Sequence, residues 1–419
     1  MPARWNAVKV LFLDAYFHPE RIAYTALEND IISELLEIAD IDLICPVPTR
    51  GISRETARKY GKIKKEILPN GVCVTRFWAP QEKKGPVLRA FRYFLCGIRH
   101  YALGVKAKNV DAVFAVSTPP TQGAVAAMVA KKLSKKQGKH VPFIYDLQDI
   151  FPDSLVTAGL TREGSLLWKL GRRLENYTYR NADRIIVISE GFKRNIMAKG
   201  VPAEKIDVVS NWIDTDAVRP VPRSENKLFE EFGIPKDKFT VVYAGNFGVS
   251  QGARVILGAA EKLAGRDDIH FAVFGGGAEF DDFRKAVPEK GLGNITVNGL
   301  LPVERVSEVY SLGDAALITC KKGVGGNSMP SKTWSIMACG TPIIAAFDTD
   351  GELAEIISKA DAGICIEPEN VDALAGAIEA MASGEGRFDG GRDFVCENAS
   401  KEKCVGKYVS AICGTDSVR

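Results

Sequence analysis

Residues 323–345 read Gly-Val-Gly-Gly-Asn-Ser-Met-Pro-Ser-Lys-Thr-Trp-Ser-Ile-Met-Ala-Cys-Gly-Thr-Pro-Ile-Ile-Ala. A glycine-rich loop leads into Ser328, a good N-cap residue, and Pro330 sits where a first helical turn would begin. The pattern predicts a short helix over 329–338 that Gly340 closes, and Thr341-Pro342 then opens an apolar strand. The start of such a helix leaves amides unpaired and carries partial positive charge, which suits an anion. Pro330 donates nothing, but the amides of Ser331 and Lys332 are free, the Ser331 hydroxyl adds a donor, and the Lys332 ammonium adds a full charge. The stretch reads as a cradle for phosphate or diphosphate. The plainer alternative is an ordinary α/β loop and helix with a surface lysine.

The same alternation extends in both directions. Toward the carboxyl end of the 419-residue chain, strands are expected at 239–244, 270–274, 295–297, 315–319, 342–346 and 363–366. Helices fall between them, at about 253–263, 279–286, 303–312, 351–357 and 371–381. Toward the amino end, apolar strands recur at 8–14, 41–45, 72–77, 112–117, 143–145, 184–189 and 207–210. Alternating strands and helices mean parallel sheets covered on both faces. The chain is too long for one ordinary core. Residues 214–238 are polar, with Pro220, Pro222 and Pro235, and read as a linker with a short helix. The expected organisation is therefore α/β, two tandem doubly wound Rossmann-like domains, 1–213 and 214–395. A last helix within 396–419 could pack back on the first domain.

Composition excludes several classes. Hydrophobic content of 46% and charged content of 26% are those of a soluble globular chain. A net charge of +3 gives no bulk attraction to nucleic acid. Nine scattered cysteines, without Cys-x-x-Cys, and four distant histidines suggest neither a disulfide framework nor a metal site. No signal-peptide pattern and no run near the roughly 18 apolar residues of a membrane span is seen, so a cytoplasmic protein is expected. One stretch stands apart. Residues 83–108 carry Lys83, Lys84, Arg89, Arg92, Arg99, His100, Lys106 and Lys108 among Phe91, Tyr93, Phe94 and Tyr101. That profile fits a helix lying on an anionic membrane surface, or a plain amphipathic helix with a solvated basic face.

In doubly wound sheets the ligand lies beyond the carboxyl ends of the strands. Two more glycine loops follow strands of the second domain. They are Ala244-Gly245-Asn246-Phe247-Gly248, with Gln251-Gly252 after it, and Phe274-Gly275-Gly276-Gly277-Ala278. Glycines let backbone amides approach a phosphate. Neither is the Gly-x-Gly-x-x-Gly dinucleotide fingerprint. In the first domain the loop after the 143–145 strand holds Asp146, Asp149 and Asp153. A carboxylate there could accept bonds from sugar hydroxyls or cap the next helix.

The runs YAGNFGVSQG at 243–252, FGGGAEF at 274–280, NGLLPVERVSEVYSLGDAALI at 298–318 and MPSKTWSIMACGTPIIA at 329–345 resemble glycosyltransferase family 4. The likeness is greatest to its surface-polysaccharide, fucosamine-transferase-like branch. DLQDIFPDS at 146–154 and NADRIIVIS at 181–189 are similar to that branch's first domain. The resemblance implies the GT-B architecture, in which the two domains face a central cleft. It implies a retaining transfer from a UDP- or GDP-linked nucleotide-diphosphate sugar to a lipid-linked or oligosaccharide acceptor. It also implies no bound metal or other cofactor, and a donor phosphate oxygen that takes the acceptor proton.

Carried over residue by residue, the resemblance makes Lys332 and Ser331 diphosphate ligands. Gly245, Asn246, Gly248 and Gln251 approach the diphosphate, and Gly275, Gly276 and Leu301 line the donor site. Ser335 touches the ribose, Asn327 faces the donor sugar, and Asp149 stands at the acceptor side. Asn327 and Ser335 occupy the positions of the family's Glu-x7-Glu pair, and Asn246 and Gln251 those of its Arg and Lys. Diphosphate charge then falls on Lys332, the helix start and Lys321 or Lys322. Two other readings remain: a nucleotide-sugar epimerase, for which only His18 lies in a suitable loop, and a non-catalytic nucleotide-sugar-binding subunit.

Overall fold

The computed structural model describes residues 8–20, 23–81, 86–157, 159–325 and 329–414. The chain divides into two compact units, one running to Ser210 and resuming at Cys404, the other Asn211–Lys403.

The first unit is built on eight strands: β1 (Val8–Leu13), β2 (Ala39–Pro46), β3 (Lys65–Ile67), β4 (Cys73–Phe77), β5 (Ala112–Val116), β6 (Phe143–Leu147), β7 (Arg184–Val187) and β8 (Ile206–Val208). Their order is β3-β4-β2-β1-β5-β6-β7-β8. Every pair is parallel except β3 with β4. The short antiparallel edge strand escaped the sequence reading because Lys-Glu-Ile offers no apolar run, and its side chains are largely exposed. Continuous apolar strands such as Ala112–Val116 are buried on both sides, as a covered parallel sheet requires. The helix Lys401–Cys413 returns the chain to this unit, burying Cys404, Val405, Tyr408, Val409 and Ile412.

The second unit holds β9 (Phe239–Asn246), β10 (Ile269–Gly276), β11 (Ile295–Gly299), β12 (Ala315–Thr319), β13 (Ile343–Ala346) and β14 (Gly363–Ile366). The order is β11-β10-β9-β12-β13-β14, all parallel. The chain winds outward one way from β9 to β11, then crosses to β12 and winds the other way. The switch point lies between β9 and β12, where doubly wound sheets open a crevice. Separate apolar clusters fill the two faces of this sheet, one around Trp334, Ile336 and Met337, the other around Phe247, Ile256 and Leu374.

Residues 214–238 are packed rather than loose. Leu228, Phe229 and Ile234 join the core of the second unit, and the Arg223 guanidinium bonds Asp314, at 2.9 Å, and the Lys238 carbonyl. The polar, proline-rich composition concealed this, because the anchoring apolar residues are few.

Candidate functional site

The helix of the opening stretch spans Lys332–Ala338 and starts later than the sequence suggested. Ser331 is its N-cap residue, without a side-chain bond, and the Thr333 amide bonds the Pro330 carbonyl. Ser328 and Asn327 lie outside the described residues. Gly340 ends the helix with φ +67, as expected of a glycine there.

Lys332 therefore stands at the first helical position, beside the β9/β12 switch point. The residue is mostly buried, and its ammonium, out of water, lies 4.2 Å from the centroid of the Tyr243 ring. A Cβ on Gly245 would stand 2.7 Å from Lys332 Nζ, so the glycine makes the space that the ammonium fills. Gly245 also has φ +152, a conformation that side chains rarely adopt. Among the described residues no carboxylate pairs with this ammonium. Burial without a counter-charge pushes its pKa down to about 8. An unpaired, desolvated cation beside a glycine strand end has the charge and the space to take an anion.

The other glycines fall into register with it. Gly245, Gly275 and Gly299 are aligned neighbours on β9, β10 and β11. Gly275 leaves room for the Phe247 ring, which a Cβ would meet at 2.3 Å. Gly276 lies under Leu300, whose Cδ1 is 3.2 Å from where a Cβ would sit, and Leu300 is 56% exposed. The Asn246 and Gln251 side-chain amides converge on Gly248, each 2.8 Å from its missing Cβ. Ser335 follows Lys332 on the same helix face, three residues on. Leu301 packs against the core, so its neighbour Leu300 is the apolar group above the glycines.

Asp348 supplies a support that the sequence reading passed over. Its two oxygens accept from the Gly323 and Gly325 amides at 2.9 and 2.8 Å. The loop before Lys332 is thereby tied to the end of β13. Lys321 lines a cavity of about 450 Å³ with Gly252, Arg254, Glu279 and Glu369, and Lys332 is not among its walls.

In the first unit the three acids after β6 separate. Asp149 is exposed; its amide donates to Ser117 Oγ at 3.1 Å, and its carboxylate takes a bond from Ser154. Asp153 pairs with Lys199 at 2.8 Å. Asp146 is fully buried and accepts from Tyr24 at 2.7 Å, Tyr408 at 3.0 Å and Gln148 at 2.9 Å. His18 turns its ring edge to Tyr60, and its carbonyl accepts from Arg76.

Beside Asp146, Asp14 and Glu28 face one another in full burial, and no other described donor reaches their oxygens. Burial raises all three carboxyls, Asp146 to about 6, and the mutual repulsion of Asp14 and Glu28 raises Glu28 further. Raised carboxyls stabilise the fold fully below the ordinary carboxylate range and lose that contribution as pH rises through their folded values. The melting temperature should therefore fall between about pH 5 and 8. Glu28→Gln, which cannot ionise, should flatten the fall and raise Tm at pH 8 by about 2–4 °C. Thermal scans at pH 5 and pH 8 check this.

Two residues of the basic helix, Arg92 and His100, are misplaced by the sequence reading. The helix spans Pro86–Gly104, and Arg92 is 1% exposed within it, bonded to the Pro80 carbonyl. It cannot face a membrane as Arg89 and Arg99 can; helical period alone did not separate the inward arginine from the outward ones. His100 is also buried, its Nε2 3.1 Å from the Asp14 carbonyl, and burial pushes its pKa to about 4. No helix among the described residues is long and apolar enough to cross a membrane, and no described cluster of His, Cys, Asp and Glu could hold a metal ion.

Comparison with known proteins bears on the family and the fold. Residues 224–392 match the model of the glycosyl transferases group 1, and residues 39–212 that of the glycosyl transferase 4-like domain. The probable glycosyltransferase WbjE of Pseudomonas aeruginosa is 30% identical over 268 residues, 64% of this chain and 66% of that protein. The putative colanic acid biosynthesis glycosyl transferase WcaI of Escherichia coli K12 is 25% identical over 276 residues, 65% of this chain and 67% of that protein. The chain thus spans about two thirds of the length of these curated relatives. Anabaena HepE, solved in complex with UDP, shares the fold with a TM-score of 0.69 at 16% identity, over 97% of this chain and 100% of that one. The two domains are those of the GT-B glycosyltransferases: residues 224–392 belong to the group 1 glycosyl transferases and residues 39–212 to the glycosyl transferase 4-like domains.

Proposed function

We propose that the chain is a glycosyltransferase that moves a sugar from a UDP- or GDP-linked donor to a lipid-linked or oligosaccharide acceptor in surface-polysaccharide synthesis, with retention and without a metal. The unpaired Lys332 ammonium beside Gly245 is the observation that carries this reading. In a sugar transfer the leaving diphosphate gains charge as the glycosidic bond breaks, and a fixed, desolvated cation stabilises that charge more than it stabilises the ground state. Ser331 adds a hydroxyl to the diphosphate, the row of glycines admits it closely, Ser335 meets the ribose, and Leu300 borders the base. The family resemblance assigns Asn327 to the donor sugar. Asp149 orients the acceptor hydroxyl, so Asp149→Asn should lower kcat while leaving the Kd for UDP or GDP unchanged. The neutral Asn327 and Ser335, where the family carries glutamates, favour a non-catalytic nucleotide-sugar-binding subunit as the second reading.

A lipid-linked acceptor calls for contact with a membrane surface. The helix Pro86–Gly104 contains no acidic residue and exposes Leu88, Phe91, Phe94, Ile98 and Tyr101 at helical spacing, with Arg89 and Arg99 beside them. Such a face binds the interface of an anionic bilayer. Replacing Phe91 and Phe94 by Ser should release the protein from anionic vesicles in a sedimentation assay without lowering Tm, whereas Arg92→Ala should lower Tm.

Thermal stability against a panel of nucleotide-diphosphate sugars, with and without magnesium, tests the function. A ligand at 100 times its Kd stabilises by about 2.7 kcal/mol. A shift with one UDP- or GDP-sugar, independent of magnesium, supports the transferase and identifies the donor. No shift with any of them rejects a donor site at Lys332.

A further inference from the structure

Tyr243 lies in β9, two residues before Gly245, and is 1% exposed. In sequence it reads as one more apolar strand residue. In the fold it does two things at once. Its ring face carries the Lys332 ammonium at 4.2 Å, and its hydroxyl donates to the Asn246 carbonyl at 3.1 Å. A second tyrosine, Tyr310, donates to the Ala244 carbonyl at 3.3 Å. The carbonyls on both sides of Gly245 are thus held from below, and the ammonium rests between that glycine and the ring.

A buried lysine ordinarily finds a carboxylate. A carboxylate here would neutralise the ammonium and compete with an incoming phosphate. An aromatic face attracts a cation through its quadrupole without bearing net charge. It therefore fixes the position of the ammonium and leaves its charge available.

We propose that Tyr243 is the positioning residue of the anion site, its ring standing in for the missing counter-ion so that Lys332 is held in place and charged before the ligand arrives. The proposal rests on the reading of Lys332 as the diphosphate ligand. It couples the ammonium to the glycine loop, because the residue that holds one also holds the carbonyl of the other.

The test replaces Tyr243 with phenylalanine and then with mono-, di- and trifluorinated phenylalanine, which keep the ring's shape while draining its quadrupole. The titration of Lys332 is followed by NMR of ¹³Cε-labelled lysine, and UDP and GDP affinity by calorimetry at pH 7.5. The Lys332 midpoint should fall stepwise with each fluorine, and the better-binding nucleotide should lose affinity in the same order, about tenfold across the series. A purely structural ring would give no such trend. An unchanged Lys332 midpoint across the series overturns the proposal while leaving the anion site standing. Lys332→Ala that binds both nucleotides as the wild type does overturns the underlying site instead, so the two failures are distinguishable.

Discussion

Lys332→Ala lowers turnover by about 10²–10³-fold, the usual cost of deleting one preorganised group that meets developing charge. The expected loss follows from isolation. The ammonium has no described carboxylate partner, and it is the charged group that stands against Gly245. Asn246 and Gln251, which converge on Gly248, are neutral amides and contribute dipoles only. Lys321 lines another cavity wall. The loss should appear in kcat as well as in kcat/KM, since the leaving group carries more charge in the transition state than in the bound donor. Stability should move the other way. Deleting an unpaired, desolvated cation removes a cost, so Tm stays level or rises. Lost turnover with undiminished Tm separates a site residue from a packing residue. Steady-state kinetics and a thermal scan on the same preparation measure both.

The second large effect is on pH. In the free protein the Lys332 pKa is pushed down to about 8 by burial. Phosphate binds the ammonium and not the amine, so nucleotide affinity should be level near pH 7, where the ligand's terminal phosphate is ionised, and then weaken by about tenfold per unit well above 8, until the bound form itself deprotonates. The stability linkage has the opposite sign. A lysine depressed from 10.5 binds more protons unfolded than folded, so its contribution to stability grows as pH rises through about 8 toward 10.5 and is lost as pH falls. Over pH 7–9.5, then, Lys332 weakens ligand binding while it relieves the ligand-free fold. Lys332→Gln should abolish the steep alkaline fall in affinity. Calorimetry of UDP and GDP at half-unit pH steps gives the slope.

Most of the architecture was legible in the sequence because parallel strands buried on both faces are written as continuous apolar runs. The glycines at the carboxyl ends of β9 and β10 and the lysine after β12 were legible for a related reason. Their positions are fixed by where strands end, and strand ends are visible. What stayed hidden depended on direction rather than on type. Arg92 and Arg99 look alike in the helix Pro86–Gly104, yet one points inward to the Pro80 carbonyl. Tyr243 reads as core until Lys332 is seen on its ring. The buried carboxyls Asp14, Glu28 and Asp146 are gathered from the residue after β1, the helix Ala23–Leu35 and β6, and the Tyr408 donor comes from 262 positions along the chain from Asp146. No local pattern announces a meeting over that separation. The helix at Lys332 started late because Pro330 and Ser331 were read as its first turn, whereas Ser331 is the N-cap.

The central claim is that Lys332 receives the diphosphate of a nucleotide sugar. Calorimetric titration of UDP and GDP into the wild-type protein and Lys332→Ala at pH 7, without metal, tests it most directly. The account predicts that the wild type binds one of the two nucleotides and that the variant loses at least about 100-fold in affinity, as for a charge-assisted contact in a desolvated site. Equal affinity in the two proteins, or no binding of either nucleotide to the wild type, would contradict it.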